Sequence, residues 1–163
     1  MNAFNHPRAT SDDLPRTGIT TIDEAGLDTF ERDVLHIARL FFSTYDIPVT
    51  QRWKQAFVEG ETRFPVPFGA TIAHAIAISI DAMREPRDRP FSYFDVDHPK
   101  ADEVMTQEEK YLLRTLHAIR RNDRAQARMQ AMLACEGGDT GEFLAALERL
   151  AMITGDVQTP VFN

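Results

Sequence analysis

Residues 68–84 read FGATIAHAIAISIDAMR. Ile72, Ile76, Ile80 and Met83 recur at helical spacing and form one stripe. Ala70, Ala73, Ala75 and Ala77 add small side chains that let a neighbouring helix approach closely. The stretch is apolar over much of its circumference, which predicts a central, buried helix from Phe68 to Arg84, ended by Pro86. Its most apolar part, 70–80, contains His74 and is far shorter than the roughly 20 residues of a membrane span.

Upstream, Phe64-Pro65-Val66-Pro67-Phe68 is a stiff extended connector. Before it, Thr50 is the expected N-cap of a second helix carrying Trp53, Ala56 and Phe57, with Gly60 as its stop. A first helix begins at the D-x-x-E pair Asp28 and Glu31, then repeats Phe30, Val34, Ile37 and Phe41 until Pro48 forbids its continuation. Residues 1–26 read as an extended polar arm with Pro7, Pro15, Gly18 and Gly26. It opens on polar residues with no apolar run behind them, so a secretory signal is not expected.

Downstream, 85–105 reads as a long irregular loop laid over the core by Phe91, Tyr93, Phe94 and Val96. Thr106 and Glu109 make a capping box for a fourth helix with Leu112, Leu113, Leu116 and Ile119 on its core face. Asn122-Asp123 breaks the chain. A fifth helix from Arg124 to Cys135 offers Ala125, Met129, Met132 and Leu133 to the core, and Gly137-Gly138 ends it. Asp139 or Thr140 caps a sixth helix with Phe143, Leu144, Leu147, Leu150 and Ala151. No sustained β alternation occurs. The expected fold is all-α: a compact bundle of about six helices, with a single helical domain over 27–153 and a C-terminal tail at 154–163. The last three helices loosely resemble a tetratricopeptide-type hairpin but lack its aromatic and Gly/Pro positions. A plain bundle accounts for them equally, so no function follows from the resemblance.

The chain is 43% hydrophobic and 26% charged, which excludes disordered, collagen-like and disulfide-dense classes. Its 18 Lys+Arg against 25 Asp+Glu give a net charge of −7, so nucleic acid is disfavoured as a partner. Cys135 is the single cysteine, which rules out an internal disulfide and points to a reducing, cytoplasmic compartment.

The most regular polar feature is a basic row: Lys110, Arg114, His117, Arg121, Arg124 and Arg128. On one continuous helix these side chains would share a face able to grip an acidic helix or a phosphate, or they would simply be solvated. The break at Asn122-Asp123 would split the row. A second cluster, Asp95, Asp97 and His98, with Asp102 and Glu103 nearby, offers ligands for a divalent cation, although its spacing matches neither an EF-hand nor a zinc signature. A turn with solvated acids is the simpler reading. His74 reads as a core histidine, His36 as surface, and Trp53 with Phe57 as core. Cys135 lies near a helix C-terminus, where the dipole disfavours thiolate. Ser11, Ser43, Ser79 and Ser92 lack a nucleophile-elbow context, and no glycine-rich phosphate loop or H-E-x-x-H occurs.

The expectation is therefore a non-enzymatic α-helical interaction or regulatory protein with no cofactor, whose partner is another protein, an acidic one matching the basic row. The broadly apolar central helix also suggests a homodimer. The alternative is a metal-binding protein or metal-dependent enzyme using the 95–103 loop. A further alternative is a DNA-binding regulator opening a recognition helix at 49–54, where Arg52 and Lys54 are the basic residues.

Overall fold

A computed structural model describes residues 18–158. Among them, helices α1 (Ile22–Ala25), α2 (Thr29–Asp46), α3 (Arg52–Arg63), α4 (Gly69–Arg84), α5 (Gln107–Arg120), α6 (Arg124–Ala134) and α7 (Gly141–Gln158) form an all-α bundle. The strands β1 (Thr20–Thr21) and β2 (Val104–Met105) pair antiparallel and tie the start of the described chain to the entry of α5. β1 and α1 thus lie within the stretch expected as an extended arm, and Thr21 and Glu24 close a capping box on α1. The last helix continues past 153 to Gln158. The rest of the expected arm and tail, 1–17 and 159–163, lies outside the described residues.

The caps set the helix starts. Asp28 Oδ1 accepts from Glu31 N at 2.8 Å while Glu31 Oε2 accepts from Asp28 N at 3.1 Å. Thr106 and Glu109 make the same reciprocal pair on α5. Each box satisfies backbone donors that a helix leaves orphaned at its N-terminus. The α3 start differs from expectation. Thr50 lies in a 3-10 turn and donates to Ile47 O at 2.8 Å, and Gln51 precedes the helix at a left-handed φ of 50°.

The core gathers Val34, Ile37 and Leu40 of α2, Ile72, Ile76, Ile80 and Met83 of α4, Leu113 and Leu116 of α5, and Phe143 and Leu147 of α7. The isoleucine stripe of α4 is buried as its spacing requires. The opposite side of α4 is exposed, with Thr71, His74, Ile78 and Asp81 facing solvent. His74 is therefore a surface residue, because α4 packs along one side only. Gly60 of α3 and Gly69 of α4 let these helices touch: a Cβ on Gly69 would lie 2.5 Å from Glu61 Cα and 2.6 Å from Gly60 O. Trp53 is exposed as well. It stands edge-on to Phe57 at 6.5 Å, and Phe57 in turn meets Phe41 at 5.9 Å, so the more proximal ring fills the site. His36 is half-buried against Glu59 instead of lying free on the surface.

The 85–103 segment lies over the bundle as expected. Phe91 stacks on Phe42 at 4.3 Å with the rings 14° from parallel, Tyr93 approaches the same ring at 5.5 Å, and Phe94 is buried. Such pairs are worth about 0.5–1.5 kcal/mol each beyond area burial.

The largest departure concerns α6. Its buried side chains are Ala127, Ala131 and Ala134. Met129, Met132 and Leu133, expected in the core, are 46%, 57% and 45% exposed. An alanine face lets α6 lie close against α5, and the interior behind it is already filled by leucines and Phe143, so the bulky side chains face outward. Among the described residues no helix is long and apolar enough to cross a membrane.

Candidate functional site

The chain reverses between α5 and α6. Asn122 adopts a left-handed φ of 58°, Asp123 N donates to Ala118 O at 2.8 Å, and Asp123 Oδ1 caps α6 by accepting from Gln126 N at 3.1 Å. Helix α6 then folds back along α5. The reversal splits the basic row into segments with different surroundings.

Lys110 Nζ reaches Thr20 Oγ1 at 3.4 Å, next to the small sheet. His117 Nδ1 lies 2.9 Å from Glu31 Oε1 and belongs to a clasp between α5 and α2. Arg120, which the row did not include, completes that clasp: Nη1 donates to Asp28 Oδ2 at 2.7 Å and to Glu31 Oε1 at 2.8 Å, with the guanidinium 4.8 Å from the Phe30 ring centroid. Burial pushes the Asp28 carboxyl up. The hydrogen bond from Glu31 N and the Arg120 charge outweigh it, and the net pKa lies below the ordinary carboxylate value.

The remaining members behave differently. Arg114, Arg121, Arg124 and Arg128 have no ion-pair partner among the described residues, a property they share with Arg149. Other arginines among the described residues are paired: Arg32 with Asp23, Arg39 with Glu109, Arg52 with Asp97, Arg63 with Asp33 and Arg87 with Glu108 and Glu136. Arg124 and Arg128 are exposed on α6, on the flank next to the surface carrying Met132, Met129 and Leu133. Helical spacing puts Met129, Met132 and Leu133 on one side of α6, at i, i+3 and i+4. The outer side of α6 is thus an apolar stripe edged by unpaired guanidinium groups.

On the other flank of those arginines a groove of about 840 Å³ separates α6 from α7. Arg121, Arg124 and Arg128 line it together with Ile119, Leu144 and Met152, and the His117–Glu31–Arg120 clasp closes its end.

The 95–98 loop spreads its three side chains over separate contacts. Asp97 pairs with Arg52, Asp95 Oδ1 accepts from Asp97 N at 2.9 Å and Oδ2 from Ser43 Oγ at 3.4 Å, and His98 Nδ1 accepts from Lys100 N at 3.1 Å. Among the described residues no group of three or more His, Cys, Asp or Glu is placed to hold a metal ion. Arg52 also bonds Gln55 at 2.8 Å, and Lys54 lies 5.5 Å from the Trp53 ring centroid, so both cations at the start of α3 have intramolecular neighbours. Cys135 is buried at the end of α6. Desolvation pushes its thiol up to about 11, against the lowering by Arg87 and with a further rise from Asp139.

Sequence reading missed Arg39, Arg87 and Arg120, which hold helices to loops and to one another. One signal was available. A capping-box glutamate uses one oxygen on the cap N–H, and its other oxygen needs a donor if the box is buried. Glu31 gives its Oε1 to His117 and Arg120, and Glu109 gives its Oε1 to Arg39 and Phe94 N.

Comparison with protein-family models, with curated proteins and with solved structures gave no match to this chain.

Proposed function

We propose that this chain is a non-enzymatic interaction protein that works in the cytoplasm and docks an acidic amphipathic helix on the outer side of α6. One observation carries the reading: Met129, Met132 and Leu133 are exposed on a single helix whose flanking arginines, Arg124 and Arg128, have no ion partner. Contiguous exposed apolar side chains mark interaction sites, and helix-in-groove recognition uses anchors at this spacing. The arginines favour a partner with carboxylates beside its apolar stripe, and they speed its encounter. The cytoplasmic assignment rests on Cys135, a free buried thiol.

A library of amphipathic helical peptides selected on the full chain tests this. Winners with acidic flanks that fail to bind Met129→Lys/Leu133→Lys support the reading. Winners with basic flanks, or equal binding to the variant, sink it. A chain that sediments as a dimer and is made monomeric by the same variant would assign the surface to a second copy and would also overturn it.

A further inference from the structure

The geometry points to a separate small-molecule site: the groove between α6 and α7 takes an amphiphilic organic anion, a phosphate or carboxylate head on an apolar body. Its volume, about 840 Å³, falls in the range of ligand pockets. Its charges are unequal in availability. Asp28 and Glu31 are both engaged by Arg120, and Glu31 also lies against His117. Asp123 is engaged in capping α6, and Glu148 is the acid on the α7 side. Against these stand Arg121, Arg124 and Arg128, three guanidinium groups without an ion partner on one rim. Guanidinium forks match the paired oxygens of phosphate and carboxylate. Ile119, Leu144, Ala151 and Met152 supply an apolar wall for the rest of the ligand. A purely inorganic anion would leave that wall wet, and a neutral apolar molecule would leave the arginines unused. The site shares Arg124 and Arg128 with the docking surface but none of its apolar anchors: Ile119, Leu144 and Met152 line the groove, whereas Met129, Met132 and Leu133 lie on the outer side of α6.

Methionine-methyl NMR on the full chain tests it, with octyl phosphate and octanoate as probes below their micelle thresholds. Saturable movement of the Met152 methyl with either probe is expected, and the better probe identifies the head group. Binding should weaken about tenfold or more in Arg121→Glu/Arg124→Glu, both exposed positions. Ala151→Phe, which fills the groove, should abolish it, and the melting temperature of each variant checks folding. The proposal falls if Met152 is still with both probes, if octyltrimethylammonium moves it equally, or if the arginine variant binds unchanged. Movement confined to Met129 and Met132 would also overturn it, and would leave the docking reading standing.

Discussion

Arg39 on α2 and Glu109 on α5, 70 residues apart in sequence, meet as a two-pronged ion pair, Nε to Oε1 at 2.7 Å and Nη2 to Oε2 at 2.9 Å. The side chains are 3% and 0% exposed. Arg39 also donates to Ala101 O and Val104 O, and Glu109 accepts from Phe94 N and Thr106 N. The pair therefore joins two helices to the middle and the C-terminal end of the overlying loop.

Removing one partner of a buried ion pair leaves the other charge uncompensated, at a cost of about 3–5 kcal/mol. Arg39→Met should lose that much in urea unfolding. Arg39→Met/Glu109→Leu should be less destabilised than the single variant, because no lone charge remains. A single variant within about 1 kcal/mol of the parent would show that solvent reaches Glu109.

The two sides of α6 should respond in opposite ways. Met129→Lys/Leu133→Lys changes exposed positions and should alter stability by about 0.5 kcal/mol or less per site. Ala131→Leu puts bulk into a fully buried position and should cost about 1–3 kcal/mol. Equal losses on both sides would mean that the methionine side is covered.

Cys135 should resist thiol reagents in the folded chain near neutral pH. Its pKa of about 11 leaves little thiolate, and the sulfur is shielded. Labelling with a disulfide reagent should appear only as denaturant opens the structure. Fast native labelling would contradict the burial of the α6 end.

Asp28 and Glu59 are held below their ordinary values of 3.8 and 4.5. For Glu59, too, burial pushes upward but is outweighed by the Gln55 hydrogen bond and by His36 and Arg63. A depressed carboxylate contributes stability above its unfolded pKa and loses it as pH falls through the folded one. Stability should begin to drop as pH passes below 4.5 and continue downward. Asp28→Asn and Glu59→Gln should be less stable than the parent at neutral pH, and the gap should close on acidification. A gap that persists in acid would assign the effect to packing.

The helix starts at Asp28 and Thr106 and the stripe Ile72–Ile76–Ile80–Met83 were legible because they are local: a cap spans one turn and a stripe a few. The orientation of α6 was not. Ala127, Ala131 and Ala134 compete with Met129, Met132 and Leu133 for the interior, and hydrophobicity alone favours the larger set. The choice depends on how much space α5 leaves, which is a tertiary quantity. The basic row was legible as a pattern, yet its division was decided by the reversal at Asn122 and by acids more than eighty residues away, such as Glu31 facing His117. Pairs at that separation leave no trace in local spacing.

The most direct test of the docking claim is calorimetry with one designed peptide: a helix with a leucine stripe flanked by glutamates, titrated into the full chain at several temperatures. The account predicts one-to-one binding with a negative heat-capacity change, the mark of apolar burial, and loss of binding in Met129→Lys/Leu133→Lys. Equal affinity for that variant, or for the same peptide with lysines in place of its glutamates, would contradict it.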